Sequence, residues 1–433
     1  MAIQALLVIL AVLLVLLFLG VPISYAIAVS SLTAILSSID LNVAVLTAAQ
    51  RTFVGMSKFS LTAIPFFILA GNIMNQGGIA KRLVDFVMAI LGKMPGALLV
   101  TNIGTNALFG AISGSASAAA AAVGSMIRDG AEEQGYDPAV TAATNAASSC
   151  SGLLIPPSNA LITYSLASGG TSVAALFMAG YIPGIIWALC CCVVGVLLAV
   201  KLGYKGTTGK FDWKNLGICT LRALPSLSLI IVVIGGIIGG VFSATEGSAI
   251  AVAYALILAF CYRSINLKSL WKIIVDSAKM SGMVVFLVGV SNILGWVMAF
   301  LQIPDAVAAA LLSLTSNKYI ILLIMNVILL VSGTFMDVTP AILIFTPLFL
   351  PICQSFGMST IQFGLILVYN LCIGNITPPV GNALFVGIKV GRTSLSKVMP
   401  YMLMYYVAII GGLLLVTFIP AVSTALPQAM GLM

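Results

Sequence analysis

The chain is 433 residues long, 61% hydrophobic and only 7% charged, whereas about 25% of a soluble domain is charged. So few charges cannot cover a soluble surface of this size, so a water-soluble fold is excluded and most of the surface must face lipid. The formal net charge of +8 comes from 19 Lys and Arg scattered in ones and twos, without the basic stripe that a nucleic-acid partner needs. The absence of His removes imidazole ligands and the Ser-His and Cys-His catalytic pairs.

Along the chain, the run from Ala2 to Gly20 has the length of a signal peptide but no basic n-region, and a second apolar stretch follows Pro22. It is expected to stay as the first span. Further spans are expected at 22–38, 60–76, 138–168 and 171–200, then at 222–240, 243–262, 281–300, 360–388 and 399–419. Segments 96–128 and 319–353 read as re-entrant hairpins. Segment 42–58, with Arg51 and Lys58, and segment 263–280, with Lys268, Trp271, Lys272 and Lys279, read as amphipathic arms at opposite interfaces. The Gly235–Gly240 stretch holds two GxxxG registers, which predict a close helix contact. The eight Cys form no CxxC and read as small packing residues.

Matching features recur about 220 residues apart. Gly20-Val21 answers Gly240-Val241, Phe66 answers Phe286, Asn72-Ile73 answers Asn292-Ile293, Asn106 answers Asn326, and Ser113-Gly114-Ser115 answers Ser332-Gly333-Thr334. Pro156-Pro157-Ser158-Asn159 answers Pro378-Pro379-Val380-Gly381-Asn382. The chain thus divides into repeats 1–215 and 216–433. With five spans and one hairpin per half and both termini outside, sixteen of the 19 basic residues, Lys210 among them, fall on the cytoplasmic side. Only Arg51, Lys58 and Lys318 fall outside. An odd number of crossings per half makes the repeats inverted. The expected fold is an all-α polytopic membrane protein of two inverted-topology repeats, each with a re-entrant helical hairpin and a broken helix.

Proline lacks an N–H and clashes with the carbonyl four residues before it. Pro156 and Pro157 therefore free the carbonyls of Gly152 and Leu153, and Pro378 and Pro379 free those of Gly374 and Asn375. At membrane depth such oxygens must be buried, hydrated or bound to a cation, and they suit Na⁺. The small residues at Ser113–Ser117 and Ser332–Thr334 permit a reversal inside the membrane, their hydroxyls facing freed backbone or an ion. Two acids lie in apolar surroundings, Glu246 and Asp337, and a buried carboxylate is by default functional; Asp337 reads as an ion- or substrate-site residue, with a helix N-cap as the alternative, and Glu246 equally as a functional acid or as the start of a helix near the interface. The expected substrate contacts are Ser115, Ser117, Asn159, Asp337 and Asn382.

The residues Pro65–Met74, Gly110–Ala118, Pro156–Asn159 and Pro378–Asn382 resemble the large membrane subunit of tripartite ATP-independent periplasmic (TRAP) transporters, over almost the whole chain. The sequence Ser243-Ala244-Thr245-Glu246-Gly247-Ser248 departs from the family's Thr-Pro-Thr-Glu-Ala-Ala pattern, and only Thr245 and Glu246 carry over. The resemblance implies Na⁺-driven uptake of an organic acid such as a C4-dicarboxylate or sialic acid, by an elevator motion of the ion transporter superfamily type. It implies one Na⁺ around Ser113, Gly152, Ile155 and Pro157 and another around Gly333, Gly374, Thr377 and Val380, with no organic cofactor. The implied partners, besides membrane lipids, are a small four-helix membrane subunit and a periplasmic substrate-binding protein, in the bacterial inner membrane. Rival readings are a stand-alone Na⁺/carboxylate symporter or Na⁺/H⁺ antiporter, a channel, and an intramembrane hydrolase using Asp337 and Glu246. No enzyme is expected.

Overall fold

The computed structural model describes residues 2–206, 212–315 and 317–433, and among these the chain is helical with no strand. Lys210 lies outside the described residues. The first half runs α1 (Ala2–Phe18), α2 (Ile23–Ile35), α3 (Leu41–Met56), a 3-10 turn (Phe59–Thr62), α4 (Ala63–Gln76) and α5 (Ile79–Leu91). The hairpin α6 (Ala97–Ser113) and α7 (Ala116–Glu133) follows, then the broken helix α8 (Pro138–Ser149), α9 (Ser151–Leu154) and α10 (Asn159–Ala167), and α11 (Val173–Leu202). The second half repeats this order: α12 (Trp213–Ile238), α13 (Ala244–Cys261), α14 (Leu267–Phe300) and α15 (Ile303–Leu314). Its hairpin is α16 (Lys318–Gly333) and α17 (Val338–Ser355), and its broken helix α18 (Thr360–Gly374) and α19 (Asn382–Val390). The chain ends with α20 (Leu395–Phe418) and α21 (Pro420–Ala429).

Repeat-matched residues do matching jobs. Gly20 and Gly240 sit at φ +77° and +69°, a conformation open to glycine, and each turns the chain into the next helix. Asn72 of α4 donates to Ser277 Oγ on the arm part of α14 at 2.8 Å. Its counterpart Asn292 fills the space where a Cβ on Gly55 of the other arm would stand, 2.5 Å away.

The halves interleave instead of standing side by side. The helix α4 packs along α13, and its counterpart pair α14 and α2 does the same. In the same way α7 packs on α19, and α17 on α10. The broken helices occupy the centre, with Ala139–Ser149 of α8 and Ile361–Gly374 of α18 buried at every residue. The outer helices bury one stripe and leave another to lipid. On α11, Trp187, Cys191, Val194 and Leu198 face inward, while Leu189, Val193, Leu197 and Val200 are exposed, the alternation a 3.6-residue period dictates. All eight cysteines are free.

Among the described residues six helices are long and apolar enough to cross a membrane, or seven if the bent pair Leu41–Met56 and Phe59–Gln76 forms one span. One of the six is α17, a limb of the hairpin expected to be re-entrant, while the first two expected spans fall on the shorter apolar helices α1 and α2. Several boundaries differ from expectation. The second arm is not a separate helix: 263–280 and 281–300 merge into the continuous α14, whereas the first arm is set off from α4 by 59°. Pro65 explains the bend, since it cannot donate and its ring opposes the carbonyl of Leu61, while its repeat counterpart is Val285, which continues a helix. The helix α12 starts at Trp213 because Asp212 accepts from the backbone N–H groups of Lys214 and Asn215, both at 3.0 Å. The Gly235–Gly240 stretch makes its close helix contact through Ile237, which stands against Gly247 of α13, and not through its glycines: Gly236 makes room for the ring of Phe242, and Gly235 and Gly240 face open space.

Candidate functional site

Each hairpin lies on its broken helix through a glycine pair. A Cβ on Gly152 would stand 2.1 Å from the Cα of Gly110, and one on Gly374 would stand 2.4 Å from the carbonyl carbon of Gly333. Both contacts are backbone against backbone, which only glycine permits. A buried amide pair ties the same elements one or more turns away. Asn106 Nδ2 of α6 donates to Asn145 Oδ1 of α8 at 3.0 Å and to Ser148 Oγ at 2.8 Å. In the second half Asn370 Nδ2 of α18 donates to Asn326 Oδ1 of α16 at 2.9 Å. Sequence matching found Asn106 and Asn326 but not Asn145 and Asn370, whose spacing of 225 departs from the repeat length.

At the first break the chain leaves α9 at Ile155, passes the cis pair Pro156-Pro157 and re-enters a helix at Ser158. The Ser158 hydroxyl accepts from Leu161 N at 3.4 Å and donates to Leu153 O. At the second break Thr377 N donates to Gly374 O at 2.9 Å and Ala383 N to Asn375 O at 3.1 Å. Three of the four carbonyls expected to be freed thus have internal donors, each with one lone pair remaining. Gly333, Gly374, Thr377 and Val380 are brought together: Gly333 touches Gly374, and Val380 N donates to Thr334 O at 3.1 Å. The first set is looser. Gly152 meets Gly110, one turn before Ser113, Ile155 lies against Gly184 of α11, and Pro157 shares an apolar pocket with Ile112.

A cavity of about 670 Å³ lies where both hairpin tips and both breaks converge. Gly114–Ser117 of the first tip, Asp337–Thr339 of the second, Leu153, Asn159 and Asn375 of the breaks line one side. Ile64, Ile68, Met280 and Val284 of α4 and α14 line the other. Ser115, Ser117, Asn159 and Asp337 therefore share one cavity, whereas Asn382 is exposed in the first turn of α19 and does not line it. Gly114 turns the first tip at φ +60°, and Ser115 caps α7 by accepting from Ala118 N at 3.3 Å.

Asp337 occupies the N-cap position of α17, yet its carboxylate makes no capping bond, and among the described residues it has no ion-pair partner. Asn159 and Asn375 each leave a side-chain oxygen without a partner. An unpaired buried acceptor costs about 1–3 kcal/mol, so this lining suits a ligand or cation that supplies donors or positive charge. Thr339 was not foreseen, and Asn375, which directly precedes the second break, was foreseen for its backbone carbonyl but not for its side chain at the cavity. Glu246 is elsewhere. Ser243 N donates to its Oε2 at 2.7 Å and Ser243 Oγ accepts from Glu246 N at 3.3 Å, a capping box at the exposed start of α13. It is a helix cap and not a membrane-buried acid, and it forms no pair with Asp337, which lines the cavity but is likewise exposed and not buried.

The family model described as "Tripartite ATP-independent periplasmic transporter, DctM component" matches residues 10–422. An uncharacterised protein of Salmonella typhimurium, YgiK, is 50% identical, with 94% of each chain covered. The isethionate TRAP transporter permease protein DctMQ of Oleidesulfovibrio alaskensis is 36% identical over 93% of this chain and 63% of its own length. The C4-dicarboxylate TRAP transporter large permease protein DctM of Pseudomonas aeruginosa is 36% identical, with 93% of each chain covered. The fold is similar to the Alcanivorax borkumensis YdaH transporter, whose crystal structure has an unusual topology, at a TM-score of 0.57 and 14% identity, covering 84% of this chain and 86% of that one. Interleaved repeats, two hairpins on two broken helices and a full-length family match agree: the chain belongs to the DctM family of TRAP transporter large permease subunits and is a multi-span membrane transport component, not an enzyme.

Proposed function

We propose that this permease takes up a small organic acid, of the C4-dicarboxylate or sialic acid type or a sulfonate such as isethionate, together with Na⁺. The observation that carries this reading is the single cavity shared by both hairpin tips and both helix breaks. Ser115, Ser117, Asn159 and Asp337 hold the acid there. A carboxylate beside Asp337 is repelled unless positive charge accompanies it, and co-entering Na⁺ supplies that charge. The ions sit at the two glycine contacts, one around Ser113, Gly152, Ile155 and Pro157 and the other around Gly333, Gly374, Thr377 and Val380, held by backbone oxygens that keep a lone pair. Asn382, the first residue of α19, is exposed and does not line the cavity.

The lining also supports an elevator motion. Every polar group lies on the hairpin and break side, while α4 and α14 offer Ile64, Ile68, Met280 and Val284. A substrate held on one side only can travel with it across an apolar wall. Moving one charge across 100 mV is worth about 2.3 kcal/mol, and each 1.4 kcal/mol is about tenfold in concentration, so two Na⁺ drive strong accumulation of an anion. The chain lies in the bacterial inner membrane with both termini periplasmic, the orientation that puts most basic residues inside. A small four-helix subunit braces its scaffold, and a periplasmic binding protein delivers the acid.

The test is uptake into proteoliposomes holding this chain and its small subunit, with succinate, isethionate and N-acetylneuraminate offered in turn. Uptake of one of them that needs both an inward Na⁺ gradient and the loaded binding protein is expected. Uptake indifferent to Na⁺ would end the coupling reading, and uptake without the binding protein would make the chain a stand-alone symporter.

A further inference from the structure

A second cavity, of about 1040 Å³, holds a concentration of charge that the transport reading leaves unused. Arg51 of α3 and Lys58 just beyond it both line this cavity. They are two of the three basic residues that the charge distribution places outside the cytoplasm, on a chain that is only 7% charged. Both are exposed, and neither has an ion-pair partner among the described residues. No Asp or Glu lines the cavity to cancel them.

The cavity is stacked on the central one along three shared helices. On α10 the lining passes from Thr163 in the central cavity to Leu166 and Ala167 in this one. On α14 it passes from Val284 to Val288 and Ser291, and on α17 from Val338 and Thr339 to Leu343 and Pro347. Each step is three to five residues, or roughly 5–8 Å of helix. The linings of the two cavities are therefore about one helical turn apart along these helices.

We infer that Arg51 and Lys58 form an anion antechamber, a site that collects a small carboxylate or sulfonate through its oxyanion and feeds it along α10, α14 and α17 to the central cavity. The inference rests on the reading that this permease carries organic acids. Two exposed, unpaired cations on a cleft whose remaining lining is uncharged raise the local concentration of anions and lower that of cations. The antechamber also opposes the central cavity in sign: Arg51 and Lys58 attract the acid alone, while beside Asp337 the acid is stable only with a cation.

The test reads the field without knowing the substrate. The full chain with its small subunit is prepared in lipid nanodiscs carrying Cys261→Ser, with Leu166→Cys to report on the antechamber or Thr339→Cys to report on the central cavity. Reaction rates are measured with 2-sulfonatoethyl methanethiosulfonate and with its cationic 2-trimethylammonioethyl counterpart, the parent without the added thiol giving the blank. The anion-to-cation rate ratio at both positions is expected to fall about tenfold in Arg51→Gln/Lys58→Gln, and to fall similarly in high salt, while Arg51→Lys keeps it. An unchanged ratio in the neutral variant overturns the inference. So does a ratio that falls at Leu166→Cys but not at Thr339→Cys, or a Thr339→Cys that neither reagent reaches, because the cavities then do not communicate. Unchanged ratios with weaker retention of the periplasmic binding protein would make the basic pair a protein-docking surface instead. None of these rates requires Na⁺ or uptake, so they can fail while Na⁺-driven uptake stands, and the reverse.

Discussion

The first limb of the first hairpin, α6, is buried along nearly its whole length, with α5, α8, α9 and α11 around it. Its counterpart α16 packs on α17 and α18 and leaves Leu323, Val327, Ile328 and Val331 exposed. The tips differ in the same direction. The first reverses over Gly114 and Ser115, while the second spends Thr334–Asp337 on the turn and presents an acid where the repeat-matched first-half residue is Ala118. One repeated sequence plan has thus produced a clamped hairpin with an uncharged tip and a half-free hairpin with a carboxylate at its tip. The glycine contact survives in both, so what the repeats share is the seat of each hairpin, and what separates them is the tip.

The comparison is broken most severely at the shared seat. Gly152→Ala and Gly374→Ala each force a methyl into opposing backbone, where overpacking costs about 1–3 kcal/mol or more; loss of monodisperse folded protein is expected for both, more complete for Gly152→Ala. Next comes the tip. Asp337→Asn is expected to lower Na⁺-driven uptake about ten- to a hundredfold, the worth of a hydrogen bond to a charged group, while Ser117→Ala on the uncharged tip lowers it about fivefold. Neither should move the thermal midpoint, since Asp337 caps nothing and Ser117 is half-buried. Equal effects at the two tips would mean that the carboxylate gives the second hairpin no special role. The amide pairs sharpen the contrast in stability. Asn106→Ala removes three side-chain partners and Asn370→Ala one, so both are expected to lower stability by about 1–3 kcal/mol, Asn106→Ala the more, in thermal unfolding in detergent. The smallest effect belongs to Glu246→Gln, which weakens an exposed helix cap: a slightly lower midpoint and unchanged uptake are expected, and a large loss of uptake would return Glu246 to the transport machinery.

Much of this was legible because backbone chemistry leaves marks in sequence. A Pro pair ends a helix wherever it lies, and Ser-Gly-Ser marks a reversal, so both breaks and both hairpins were placed from residue type alone. The continuity of α14 was also written, in the replacement of Pro65 by Val285, but the shared amphipathic pattern of the two arms concealed it. Glu246 stayed open between a functional acid and a helix start because its apolar neighbours resemble a membrane interior, while the Ser three residues before it marks a capping box. In Gly235–Gly240 the close contact falls on Ile237 and not on the glycines, because glycine spacing does not say which residue comes close to a neighbour. The pairing of Asn145 with Asn106, and the meeting of Asn375 with Asp337, depend on how distant segments pack, and nothing local in the chain encodes them.

The exchange of partners between the halves sets a timetable for synthesis. Arg128 at the end of α7 finds the carbonyl of Val390, 262 residues later, and at about 5–20 residues per second that partner emerges roughly ten to fifty seconds behind it. Through that interval the first half stands in the bilayer with the face of α7 uncovered, although α4 is covered earlier, once α13 and α14 are made, so insertion of the last quarter of the chain, not of the first, completes the molecule. A ribosome stalled before Val390 would leave a species with every early helix in place and no finished body for the membrane's quality control to accept.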